Sequence, residues 1–95
     1  MPGTAKPETA RDDATRRKRL IFRSWHRGMR ETDLMLGRFA DRHVAAMTAE
    51  QLDRYEALIE SADPDIYNWV TGAEPIPPSH DTDVMRLLKT FKFFS

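Results

Sequence analysis

Apolar positions along the chain recur every three or four residues and nowhere alternate, so the pattern predicts helices throughout and no strand. Asp12 or Asp13 suits the N-cap of a first helix, whose Leu20, Ile21, Phe22 and Trp25 gather on one side. Gly28 marks its stop, because glycine accepts the left-handed conformation that ends helices. A second helix is expected from Glu31–Thr32 to about His43–Ala46, with Leu34, Met35, Leu36, Phe39 and Ala40 as its apolar face. Gly37 within it lowers helix propensity, which points to an element packed closely against that spot. The third start carries the clearest signature: Thr48 and Gln51 form a capping box, and Met47 and Leu52 hold the two positions of a hydrophobic staple. Leu52, Tyr55, Leu58 and Ile59 supply its buried stripe. Asp63–Pro64 opens a fourth helix, the aspartate as N-cap and the proline where its missing N–H does no harm. Ile66, Tyr67, Trp69 and Val70 follow, and Gly72 ends it. Pro75, Pro77 and Pro78 then impose a stiff, extended connection. A fifth helix is expected near Asp81–Asp83, burying Val84, Leu87, Leu88 and Phe91. The fold class is all-α, a small five-helix bundle.

Length confines this bundle to a single core, since 95 residues leave no room for a second one of useful size. Residues 1–11, with Pro2, Gly3 and Pro7, read as a disordered tail, residues 12–92 as the helical domain, and residues 93–95 as a terminal end. The absence of cysteine excludes a disulfide scaffold, a cysteine-ligated zinc site and a thiol nucleophile. No apolar stretch approaches a membrane span, and there is no signal-peptide core or Arg/Ser-rich presequence, so a bacterial cytoplasm is expected over a mitochondrial matrix. Formal net charge is zero, which argues against a nucleic-acid binder. The zero conceals segregation. Residues 16–30 hold seven bases and no acid, while residues 31–65 hold nine acids and three bases, so +7 abuts −6. Either the blocks face each other, or they form a polarised surface that orients a partner.

Catalytic chemistry is hard to find. His26, His43 and His80 stand out of metal-ligand register, Ser24, Ser61, Ser79 and Ser95 lie in no nucleophile elbow, and there is no phosphate-binding glycine loop. The expectation is therefore a protein that is not an enzyme and has no metal site. Trp25, set among Arg23, His26 and Arg27, has two open readings, core residue or interface anchor. The junction Arg27–Gly28–Met29–Arg30–Glu31 is the one segment with directed chemistry. Gly28 leaves the backbone open to a close partner, Arg27 offers a planar charged fork, and Glu31 could pair with Arg27 or with a partner. The plainer alternative is a helix–turn–helix corner with a local ion pair.

Arg27–Gly28–x–x–Glu31 resembles the RGxxE signature of the SdhE-type succinate dehydrogenase assembly factors. The resemblance continues through Leu36–Gly37–Arg38–Phe39–Ala40, the Met47–Leu52 capping segment and Asp63–Pro64–Asp65–Ile66–Tyr67–Asn68–Trp69, and covers about Arg17 to Phe91. It implies a flavinylation factor that binds the flavoprotein subunit of succinate dehydrogenase, or of fumarate reductase, and promotes covalent attachment of FAD to the client's histidine. The client's histidine attacks the flavin 8α carbon while negative charge develops on the ring, so the helper contributes orientation rather than a reacting group. By the same resemblance Arg27, Gly28 and Glu31 form the functional patch, with Met29, Arg30 and Asp33 as neighbours. Trp25 joins them as the candidate anchor. No cofactor is expected to be held stably by the chain itself, and a monomer meeting its client one-to-one is the simplest assembly. The alternatives are direct FAD carriage through Arg27 and Arg30, an antitoxin-like module and a generic helical adaptor. No role falls to the Pro75–Pro78 loop or to Phe93 and Phe94.

Overall fold

Capping chemistry sets where the helices of the computed structural model begin and end, and long-range packing sets which side of each is buried. Residues 5–91 are described, with side chains from Asp13 onward. They form α1 (Ala5–Trp25), α2 (Arg30–His43), α3 (Ala49–Ile59), α4 (Asp63–Thr71) and α5 (Asp83–Thr90), with single 3-10 turns at Val44–Ala46 and Pro78–His80. No strand occurs among the described residues.

Helix α1 begins at Ala5 instead of near Asp12–Asp13, so residues 5–11 of the expected tail are helical. The segment is rich in good helix formers, and Pro7 falls in the first turn, where no intrahelical donor is needed. Asp13 is no cap; its carboxylate pairs with Arg17 one turn on, at 2.8 Å. Residues 1–4 of that tail and the Phe93–Phe94 end lie outside the described residues.

Two of the expected start and stop signals hold as written. Thr48 Oγ1 accepts from the Gln51 N–H while Gln51 Oε1 accepts from the Thr48 N–H, which completes the capping box. The free Gln51 amide then donates to Asp83 at 3.2 Å, so the start of α3 is tied to the start of α5. That bond, foremost, and Arg54 nearby hold the Asp83 carboxyl below its ordinary value. Gly72 ends α4 at φ +83. The fourth start differs. Ala62 is the N-cap of α4, and the Asp63 side chain makes no cap bond because Arg27 holds it.

The core is built mainly on α2 and α3, where Met35, Leu36, Phe39, Leu52, Tyr55 and Ile59 are buried. Leu20 from α1, Ile66 from α4 and Leu88 from α5 close around them. Three expected core residues face out instead: Phe22 (62 % exposed), Leu34 and Leu87. Helix α1 turns Leu20 and Ser24 inward, and Phe22, two residues past Leu20, is rotated by about 200° from it. Helix α5 buries Val84, Met85 and Leu88, with Phe91 packed against the core, which swings Leu87 outward and makes Met85 the core residue. Where α1 crosses α3, Tyr55 Oη lies 2.6 Å from Ser24 Oγ, and that hydroxyl donates to the Leu20 carbonyl at 2.6 Å. Burial pushes the Tyr55 phenol well up, so it stays a neutral donor. Every buried side-chain polar atom among the described residues has a partner.

Candidate functional site

The Arg27–Glu31 junction spans the loop between α1 and α2, and its residues divide into two groups. Arg27 points into the molecule. Its Nε donates to Asp63 Oδ1 at 2.8 Å, Nη1 to the Ile59 carbonyl at 2.6 Å and Nη2 to the Ser61 carbonyl at 2.9 Å. The carbonyls of Ile59 and Ser61 lie at the C-terminal end of α3, where a guanidinium meets unsatisfied acceptors and the negative end of the helix dipole. Asp63 lies in the first turn of α4, where a carboxylate suits the positive end. The side chains of Arg27 and Asp63 are 11 % and 10 % exposed, so this fork welds the α3–α4 corner to the end of α1. The pair that sequence spacing allowed between Arg27 and Glu31 is not formed; Asp63 takes that place.

Asp33 also works inward. Its Oδ1 accepts from the Arg27 backbone N–H at 2.6 Å, and its own N–H donates to the Met29 carbonyl at 2.9 Å. The buried Thr32 hydroxyl donates to the same carbonyl at 3.0 Å. The loop backbone is thus held at both ends. Between them Gly28 adopts φ +110, a region that L side chains rarely enter, and open space surrounds the position a β-carbon would take. Met29 is half-buried, while Arg30 and Glu31 are exposed. Among the described residues no hydrogen bond or ion pair engages either charge. Glu31, in the first turn of α2, is favoured by the helix dipole but otherwise presented to solvent.

Trp25 packs against α2 on one side and stays part-exposed on the other. Its six-membered ring lies flat against Gly37 of α2, so closely that a β-carbon at position 37 would collide with it. This is the close approach that the glycine signalled. The indole N–H reaches Asp41 Oδ1 at 3.2 Å, and the residue stays half-buried beside the loop. The aromatic ring of His26 instead stacks on Phe22, centroids 3.9 Å apart, with Nδ1 2.8 Å from the Phe22 carbonyl.

The two charge blocks meet along α1 and α3. Arg16 pairs with Asp53 at 2.7 Å and Glu56 at 2.9 Å, Arg23 pairs with Glu60, and Arg27 with Asp63. Arg17 turns aside, to Asp13 and the Val44 carbonyl. Lys18, Arg19 and Arg30 remain exposed, with no partner among the described residues. The reading in which the blocks face each other accounts for one side of α1, and the uncompensated cations lie elsewhere. Sequence spacing missed Asp63 as Arg27's partner. The signal was available as two helical stripes of opposite sign, Arg16–Arg23–Arg27 and Asp53–Glu56–Glu60–Asp63. Among the described residues no group of three His, Cys, Asp or Glu side chains could hold a metal, and no helix is long and apolar enough to cross a membrane.

Comparison with known proteins bears on the same segment. A family model described as the flavinator of succinate dehydrogenase matches residues 18–92, which contain the whole junction and all of α2 to α5. The chain is 48 % identical over 77 residues to succinate dehydrogenase assembly factor 2-A, mitochondrial, of Drosophila yakuba, covering 79 % of this chain and 48 % of that protein. It is 47 % identical over 77 residues to the 2-A protein of Drosophila mojavensis and to the 2-B protein of Drosophila melanogaster, covering 79 % of this chain and 49 % of each. The chain therefore spans about half the length of the curated relatives it matches. Those relatives are named as mitochondrial proteins, which points to mitochondria and overturns the expectation of a bacterial cytoplasm. That expectation rested on the lack of a presequence, a feature on which a chain that matches only about half of each relative is silent. With the family model matched over most of its length and relatives near half identity, the chain belongs to the family of succinate dehydrogenase flavinators, the assembly factors of that enzyme.

Proposed function

We propose that this protein binds the flavoprotein subunit of succinate dehydrogenase and promotes covalent attachment of FAD to the client's histidine, without supplying a reacting group of its own. The observation that carries the reading is the division of the junction. Arg27, Asp33 and Asp63 fix the loop from within, and Gly28, Arg30 and Glu31 are offered outward on that rigid base. Two exposed charges on a held backbone, beside a residue without a side chain, suit close docking with little backbone ordering left to lose.

The chemistry asks no more of a helper. Attack of the client's histidine on the flavin 8α carbon places negative charge on the isoalloxazine ring, and the cofactor and client supply both reactants. A partner that prefers the client conformation with histidine and flavin aligned raises the attack rate by differential binding alone. Glu31 and Arg30 contact client groups in this scheme, Gly28 admits the client backbone, and Arg27 acts as a positioning residue behind them. Met29 and Trp25 border the contact. The FAD is the client's; this chain holds none stably.

The test is co-expression of the client subunit with wild type or Glu31→Gln, followed by capture and in-gel flavin fluorescence of the denatured subunit. Wild type gives a fluorescent band and Glu31→Gln a much weaker one. Equal bands from both would remove the patch from the reading.

A further inference from the structure

Helix α1 carries cations on two sides, and they fare differently. Arg16 and Arg23 on the side facing α3, like Arg27 in the loop just beyond, are each matched by a carboxylate. On the outer side, Thr15, Lys18, Arg19 and Phe22, together with the stem of Arg23, line an open apolar depression of about 480 Å³. Lys18 and Arg19 have no partner among the described residues, and Phe22, at 62 % exposure, is the most exposed large hydrophobic residue among those described. Its ring is already ordered by the His26 stack, so little conformational freedom is left to lose on contact. An ordered aromatic framed by unneutralised cations has the make-up of an interface anchor with a basic rim.

We infer that this face of α1 is a second docking surface for the same client, receiving an acidic surface of the flavoprotein subunit with an apolar centre for Phe22; the inference rests on the proposed function. Two arguments select that occupant. A stable complex needs about 800 Å² from each partner, and the loop of Gly28, Arg30 and Glu31 is too small to supply it alone. Phe22 lies three residues before the end of α1, about 5 Å along its axis from where the loop begins, so both fall within one footprint of ordinary size. Charge gives the second argument, because Lys18 and Arg19 leave the rim of this depression positive and call for an acidic surface opposite. A lipid surface fits less well, since a helix lying in a membrane interface needs a broad apolar face and the outer side of α1 presents one large apolar residue.

The experiment measures binding of the purified succinate dehydrogenase flavoprotein subunit to full-length wild type, Phe22→Ser, Lys18→Glu/Arg19→Glu and Glu31→Gln, each checked for helicity by circular dichroism. Phe22→Ser is expected to dissociate about tenfold faster. The double reversal is expected to associate about tenfold more slowly at low salt, a difference that shrinks as salt rises. Affinities of both α1 variants within twofold of wild type, with Glu31→Gln weakened, would overturn the second surface and leave the proposed function standing. No binding by wild type would overturn both. Wild-type binding to phosphatidylglycerol vesicles or random duplex DNA that Phe22→Ser loses while keeping the client would assign the face to lipid or nucleic acid and overturn the inference.

Discussion

At one end of the Arg27–Glu31 junction an arginine is 11 % exposed and bonds three groups of its own chain, while at the other a glutamate is exposed and bonds none among the described residues. Motif spacing treats the two as equal members of one patch. Packing separates them. The arginine's fork meets two backbone carbonyls at the end of α3 and a carboxylate in the first turn of α4, so the fold uses it; the glutamate meets only the dipole of its own helix. A motif can therefore combine a residue that the fold consumes with one that it leaves exposed, and loss of function on mutation does not by itself tell them apart.

Stability measurements separate them, and the largest effect belongs to the inward group. Asp63→Ala leaves the Arg27 guanidinium buried without its carboxylate and is expected to destabilise the fold by about 3 kcal/mol, seen as a lower urea midpoint. A loss within about 0.5 kcal/mol would break the comparison. Gly37→Ala drives a β-carbon into the Trp25 ring and should cost about 1–3 kcal/mol. In a Trp25→Ala background the same change should cost little or be mildly favourable, because alanine is the better helix former. Gly28→Ala forces a side chain into a positive-φ position and should cost about 1–2 kcal/mol, although nothing crowds the new methyl. Bulky replacements at position 28 therefore mix backbone strain with interference at the surface, and Glu31 is the cleaner probe.

The far end of the bundle offers a smaller, independent effect. His43 packs between Phe39 and Phe91, and burial, with Arg42 adding to it, holds its pKa below the ordinary 6.5. The unfolded chain then binds more protons than the folded one below about pH 6.5, so this contribution is complete above that pH and is lost as pH falls. Wild type should lose slightly more stability than His43→Gln between pH 7.5 and 5.5. Equal slopes would place His43 outside the linkage.

Local signals were legible in the sequence because they act over one turn. The Thr48 capping box, the Gly72 stop and the tight spot at Gly37 all stand where composition put them. What depends on a distant partner was not legible. Asp63 has the chemistry of an N-cap, and the approach of Arg27 from the distant α1–α2 loop diverts it. Phe22 and Leu87 have the spacing of core residues, but which arc of a helix faces inward is set by neighbours far along the chain. The family resemblance carried further than periodicity, since it reached the family that the comparisons show, while which junction residues the fold consumes became visible only in three dimensions.

Stability and covalent flavin measured together on Glu31→Gln test the central claim most directly. The expected result is an unfolding free energy in urea within about 0.5 kcal/mol of wild type, since only an exposed dipole interaction is weakened, together with a severe loss of in-gel flavin fluorescence on the co-expressed client subunit. Unchanged fluorescence, or a loss of flavin that follows a loss of stability, would contradict it.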